Sequence, residues 1–168
     1  MFKTKNNPSL NNLSKIIWEY SRSKIVIVGI GNVLKGDDGF GPILISRLKN
    51  KLKAVCLNAA TVPENYIGSI TKEKPELILL ADAVNSTDTA PGELALYGAE
   101  NIGRVNSVST HNTNLSLFLS LLSLDCPAKI YLIGFNPVNL DFESTLSPEG
   151  ERAIFGLEKL FLEILSNR

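Results

Sequence analysis

Residues 24–30 read Lys-Ile-Val-Ile-Val-Gly-Ile, an apolar run in which no polar residue alternates. A strand with one solvated face alternates apolar and polar positions. A continuous β-branched run marks a strand covered on both faces, as in the parallel sheets of α/β proteins. The run at 76–84, with its strand expected to end at Asp82, and the run at 128–135 read the same way, and 53–59 is a further strand. Helical patterns fall between them. Residues 8–21 place Leu10, Leu13, Ile16, Ile17 and Tyr20 on one face behind Pro8 and Ser9, and residues 41–52 carry Pro42 in a first turn. A short helix is expected at 63–74. Another is expected at 113–124, with Leu115, Phe118, Leu119 and Leu122 as its stripe and Leu117, Leu121 and Leu124 broadening it. The last helix opens at Ser147-Pro148 and buries Ile154, Leu157, Phe161, Ile164 and Leu165. Alternating strands and helices predict an α/β sandwich around a mostly parallel sheet. The expected division is an N-terminal helical extension, 1–22, packed on a single α/β domain, 23–168.

The length of 168 residues suits one domain, and 44% hydrophobic with 20% charged residues predicts a packed core. Lys plus Arg and Asp plus Glu are equal at 17 each, so nothing draws the chain toward nucleic acid or an anionic membrane. No apolar run approaches the roughly 20 residues of a membrane span. The polar N-terminus lacks a signal peptide's apolar stretch, and a cytoplasmic protein is expected. Cys56 and Cys126 read as buried, reduced thiols, since no spacing suggests a zinc site.

In sheets of this class ligands sit outside the carboxyl ends of the strands. The stretch after the first strand, "GIGNVLKGDDGFGP" (Gly29 to Pro42), begins like a dinucleotide loop, but Leu34 stands where the third glycine of G-x-G-x-x-G belongs. Asp37 and Asp38 would also repel a pyrophosphate at a helix N-terminus. A carboxylate site fits better. Gly36 and Gly39 permit a sharp turn around the acidic pair. One of the pair is expected to cap the next helix or hold the turn, leaving Asp38 for chemistry. Asp82 closes the buried run "LILLA", where a carboxylate is costly unless paired or liganded. His111 is the chain's one histidine and lies just before an apolar helix. Two carboxylates and an imidazole form a set that binds divalent transition metals such as nickel or zinc, or that does acid–base work on a carbonyl.

The motifs "GIGNVLKGDDGFGP", Pro63-Glu64-Asn65, "LLADAV" with Asp82, Pro91-Gly92-Glu93, "STHN" around His111 and "IGFNP" (Ile133 to Pro137) follow one another in this order. In that order they resemble the [NiFe]-hydrogenase maturation endopeptidases, most closely the type serving the hydrogenase 3 large subunit. The likeness runs from about Lys24 to the last helix. It implies a three-layer α/β/α sandwich, phosphorylase/hydrolase-like, around a five-stranded mixed sheet with one antiparallel strand; residues 92–97 are the candidate for that strand. It also implies an aspartic-type endopeptidase that removes the C-terminal extension from the nickel-loaded large-subunit precursor. Nickel is then carried by the substrate and is not held tightly by the free enzyme. Asp38, Asp82 and His111 are the implied metal ligands and catalytic residues. A monomer is expected, with a dimer through the N-terminal helix as the alternative. One departure stands out: Asn58-Ala59-Ala60 occupies the place of the family's usual Asp-Gly-Gly, which alters the expected rim of the cleft. The rival readings are a nickel-sensing checkpoint protein that cleaves nothing, and a hydrolase of another substrate with its own metal.

Overall fold

A computed structural model describes residues 8–108 and 115–166. The elements in chain order are α1 (Pro8–Glu19), β1 (Ile25–Ile30), a 3-10 turn (Gly36–Gly39), α2 (Phe40–Leu48), β2 (Val55–Ala60), a second 3-10 turn (Pro63–Tyr66), α3 (Ile67–Lys72) and β3 (Leu77–Asn85). Then follow β4 (Leu94–Gly98), α4 (Ala99–Ile102), β5 (Asn106–Ser107), α5 (Leu115–Asp125), β6 (Lys129–Phe135) and α6 (Pro148–Leu165).

The strands lie in the order β2-β1-β3-β6-β4. The pairs β1–β2, β1–β3 and β3–β6 are parallel, and β4 runs antiparallel to β6 as expected for residues 92–97. The sheet has six strands and not five. The sixth, β5, is two residues long and pairs antiparallel with Val84 and Asn85. A two-residue strand has no periodicity by which a sequence could reveal it.

The apolar runs are continuous because both faces are covered. Ile25 and Ile27 of β1 join Leu13 and Ile17 of α1, Phe40 and Leu44 of α2, and Ile154, Leu157 and Phe161 of α6 in one core. Val26, Val28 and Ile30 point the other way, onto Ile70 of α3, Ile102 of α4 and Phe118 of α5. Each such side chain, fully buried, contributes about 1.5–3 kcal/mol. The result is three layers, with α1, α2 and α6 on one face and α3, α4 and α5 on the other.

Two expectations need correction. Leu117, Leu121 and Leu124 do not broaden the core stripe of α5 but face solvent, Leu124 at 78% exposure. The α2 helix stops at Leu48, because Lys49 turns extended and Asn50 takes a positive φ of 65°. Helix α1 packs against β4 and α6. The parallel strands bring their carboxyl ends to one edge, where the loops after β1, β2, β3 and β6 gather.

Candidate functional site

After β1 the chain folds back on itself. Asn32 N donates to the carbonyl of Asp38 at 3.0 Å, Lys35 N to Asn32 O at 3.1 Å, and Asp38 N to Lys35 O at 3.0 Å. The Asn32 side chain accepts from Leu34 N at 3.0 Å. Two glycines make this possible. Gly31 has φ 144°, and a Cβ there would lie 1.8 Å from the carbonyl oxygen of Asp38. Gly36 has φ 53°, a left-handed conformation that costs other residues about 1–2 kcal/mol. The Gly-x-Gly that resembles a phosphate loop therefore closes on its own backbone.

The two aspartates have separate tasks. Asp37 is fully buried, and its carboxylate accepts from Val138 N at 2.8 Å, Asn139 N at 3.0 Å and Ser147 N at 2.7 Å. It caps neither the 3-10 turn nor α2, whose N-caps carry no side-chain hydrogen bond. Instead it holds the β6–α6 loop to the first loop and meets the start of α6. Of the two roles expected for it, holding the turn is the one the fold uses.

Asp38 is 1% exposed and Asp82 0%. The 3-10 turn that carries Asp38 packs on β3. One turn further on, a Cβ at Gly41 would come within 2.2 Å of the carbonyl of Ala81, so this segment lies directly against the residue before Asp82. Asp82 does not end its strand, as the sequence suggested. It pairs with Gly134 of β6, and β3 continues to Asn85. On its other side, however, the β1 pairing stops at Gly29 opposite Ala81. Asp82 is thus the first β3 residue past the last β1 pair, beside the loop that turns back toward Asp38. Two carboxylates out of water at one sheet edge are costly as anions unless paired or liganded.

His111 lies outside the described residues. The residues that flank its segment are placed: Val108 N donates to the carbonyl of Ala83 at 3.0 Å, next to Asp82, and Leu115 opens α5 with its side chain in the core. Among the described residues no group of three potential metal ligands is assembled.

Asn136 lies in the "IGFNP" motif, where sequence reasoning assigned it no task of its own. It is 7% exposed, and its amide donates to Ser86 O at 3.0 Å and Thr89 O at 2.7 Å. Its backbone accepts from Gly92 N and donates to Glu93 O. It therefore pins the β3–β4 loop over the carboxyl edge. The available signal was an Asn-Pro pair directly after a strand, a turn marker. At Asn58-Ala59-Ala60, the methyl of Ala59 is in the core and does not narrow the rim. Ala60 holds a left-handed φ of 48°, and its N–H donates to the Asn58 side chain at 3.0 Å. Cys56 offers no nucleophile, since burial pushes its thiol up to about 11 while Lys49 pulls weakly the other way.

This arrangement matches known proteins. A family model for hydrogenase maturation protease matches residues 43–164, a span that takes in Asp82 and His111. The hydrogenase 3 maturation protease of Escherichia coli is 31% identical over 114 residues, 67% of this chain and 72% of that one. The crystal structure of a [NiFe] hydrogenase maturation protease from Thermococcus kodakarensis superposes with a TM-score of 0.78 at 30% identity, covering 91% of this chain and 97% of that one. The fold and these likenesses agree, and the chain belongs to the hydrogenase maturation protease family.

Proposed function

We propose that this protein is the endopeptidase that removes the C-terminal extension from the nickel-loaded large-subunit precursor of a [NiFe] hydrogenase. The observation that supports it most is the pair Asp38 and Asp82, both buried at the carboxyl edge in a chain of this family. Nickel arrives as part of the substrate. Asp38, Asp82 and His111 are its ligands on the protease, an oxygen–imidazole set suited to that ion.

Docking of the precursor's nickel fixes the scissile bond against the acidic turn. Fixed geometry of this kind removes a large part of a hydrolytic barrier. Asp38 accepts a proton from the attacking water as the water oxygen bonds to the peptide carbonyl carbon. The C–N bond then breaks, and the proton passes to the departing amine. In this reading the carboxylate is the base, which makes the enzyme aspartic-type.

The experiment is cleavage of nickel-loaded precursor by site variants. Asp38→Asn, Asp82→Asn and His111→Ala each reduce processing about a hundredfold or more while thermal unfolding stays cooperative. Processing at the wild-type rate in any one of them removes that residue from the site.

A further inference from the structure

The loops beside the site present a fixed apolar ledge. Leu34 O accepts from Glu143 N at 2.7 Å, Gly36 N donates to Ser144 O at 3.1 Å, and Lys35 and Ser144 form a parallel bridge. Residues 34–36 and 143–144 thus run side by side as a short extra ladder. Asp37 ties the same two loops together from beneath. Glu143 holds a positive φ of 61°, and the Ser144 hydroxyl closes the turn on Asp141 O at 2.6 Å. These well-bonded loops turn large apolar side chains outward: Val33 and Leu34 are each 54% exposed, Val138 50% and Phe142 66%.

Large apolar side chains held in solvent by well-bonded loops are characteristic of a protein-docking surface. Charge narrows the occupant. In residues 31–39 and 136–147 Lys35 is the single base, set against exposed Asp141 and Glu143 and buried Asp37 and Asp38. Elsewhere in the chain bases and acids lie together, as in the pairs Lys24–Glu73 and Lys51–Glu158, both at 2.9 Å. A twofold dimer through the ledge would bring a patch of net negative charge against its own copy. A preformed ledge also suits a folded surface better than a flexible tail, because neither side has to be ordered on contact.

We infer that the ledge of Val33, Leu34, Val138 and Phe142, bordered by Asp141 and Glu143, docks the folded body of the large-subunit precursor through an apolar surface ringed by Lys or Arg. The inference rests on the function proposed above and names a second contact, outside the metal site.

The test compares wild-type protein with Phe142→Ser, Leu34→Ser and the charge reversal Glu143→Lys. Each protein is assayed for precursor cleavage and for binding of the large subunit already lacking its tail. The ledge variants should raise KM about tenfold or more with kcat changed less than about twofold, the pattern for lost uniform binding. They should also weaken binding of the tail-less subunit by a similar factor. Glu143→Lys should in addition flatten the salt dependence of binding. Wild-type KM and tail-less binding in all three variants would overturn the docking ledge, as would an effect confined to an isolated tail peptide. The two proposals fail separately. If wild-type protein binds the tail-less subunit through the ledge but cuts no precursor, the endopeptidase reading falls and the ledge stands.

Discussion

Two adjacent aspartates illustrate how much one position decides. Asp37 satisfies three backbone N–H groups and is structural, whereas Asp38, buried to the same depth, is the one proposed for the site. The sequence pointed to Asp38 for chemistry and to Asp37 for a cap or the turn, but not to the groups that Asp37 holds, since these lie in a loop far along the chain. Removing the Asp37 carboxylate leaves those donors without an acceptor, at about 1–3 kcal/mol for each one that stays buried. Asp37→Ala is therefore expected to lower stability by about 3 kcal/mol or more in urea unfolding, while Asp38→Asn changes it far less; equal losses would contradict the division of roles. Ala60 carries a strain that the sequence alone hinted at through the departure from Asp-Gly-Gly. Its left-handed φ of 48° costs an alanine about 1–2 kcal/mol, against about 0.5–1 kcal/mol for the extra freedom of an unfolded glycine. Ala60→Gly should raise Tm by about 1–3 °C in calorimetry, and a fall in Tm would show that this turn is not strained.

Among the elements, α6 is the one through which the site is tied to the core. Its N-cap Ser147 accepts from Gly150 N at 3.0 Å through its hydroxyl and donates its own N–H to Asp37. Ser147→Ala should cost about 1 kcal/mol, read as a Tm lower by about 2–4 °C, and should leave the backbone bond to Asp37 in place. An unchanged Tm would mean that the hydroxyl is replaced by water at no cost. The Ser-Pro start of this helix was legible because capping is local chemistry. The strands were legible because burial on both faces imprints an unbroken apolar run. The far side of α5 was not: a helix with leucine on every face does not say which face is covered, and Leu117, Leu121 and Leu124 lie outward. Nor was the continuation of β3 past Asp82, which depends on partners in β5 and β6 that lie far along the chain.

In the whole molecule the sheet collects parallel carboxyl ends at one edge, and the loops there carry Asp37, Asp38, Asp141 and Glu143. The candidate site was legible as residue types in order, and the family likeness supplied their grouping. Two features were not legible. One is the fold-back of the first loop, set by the backbone of Gly31 meeting that of Asp38. The other is the anchoring of the surrounding loops by the carboxylate of Asp37 and the amide of Asn136. Those are long-range contacts with no local pattern. A metal carried by the substrate, proposed to complete the site between Asp38, Asp82 and His111, is tested by cleaving the same large-subunit precursor purified with and without nickel and following the mass of the product. The nickel-loaded form should show a single cut that releases the C-terminal extension, and the nickel-free form should be cut slower by about a hundredfold or more. Equal rates on the two forms would rule out nickel as the group that completes the site.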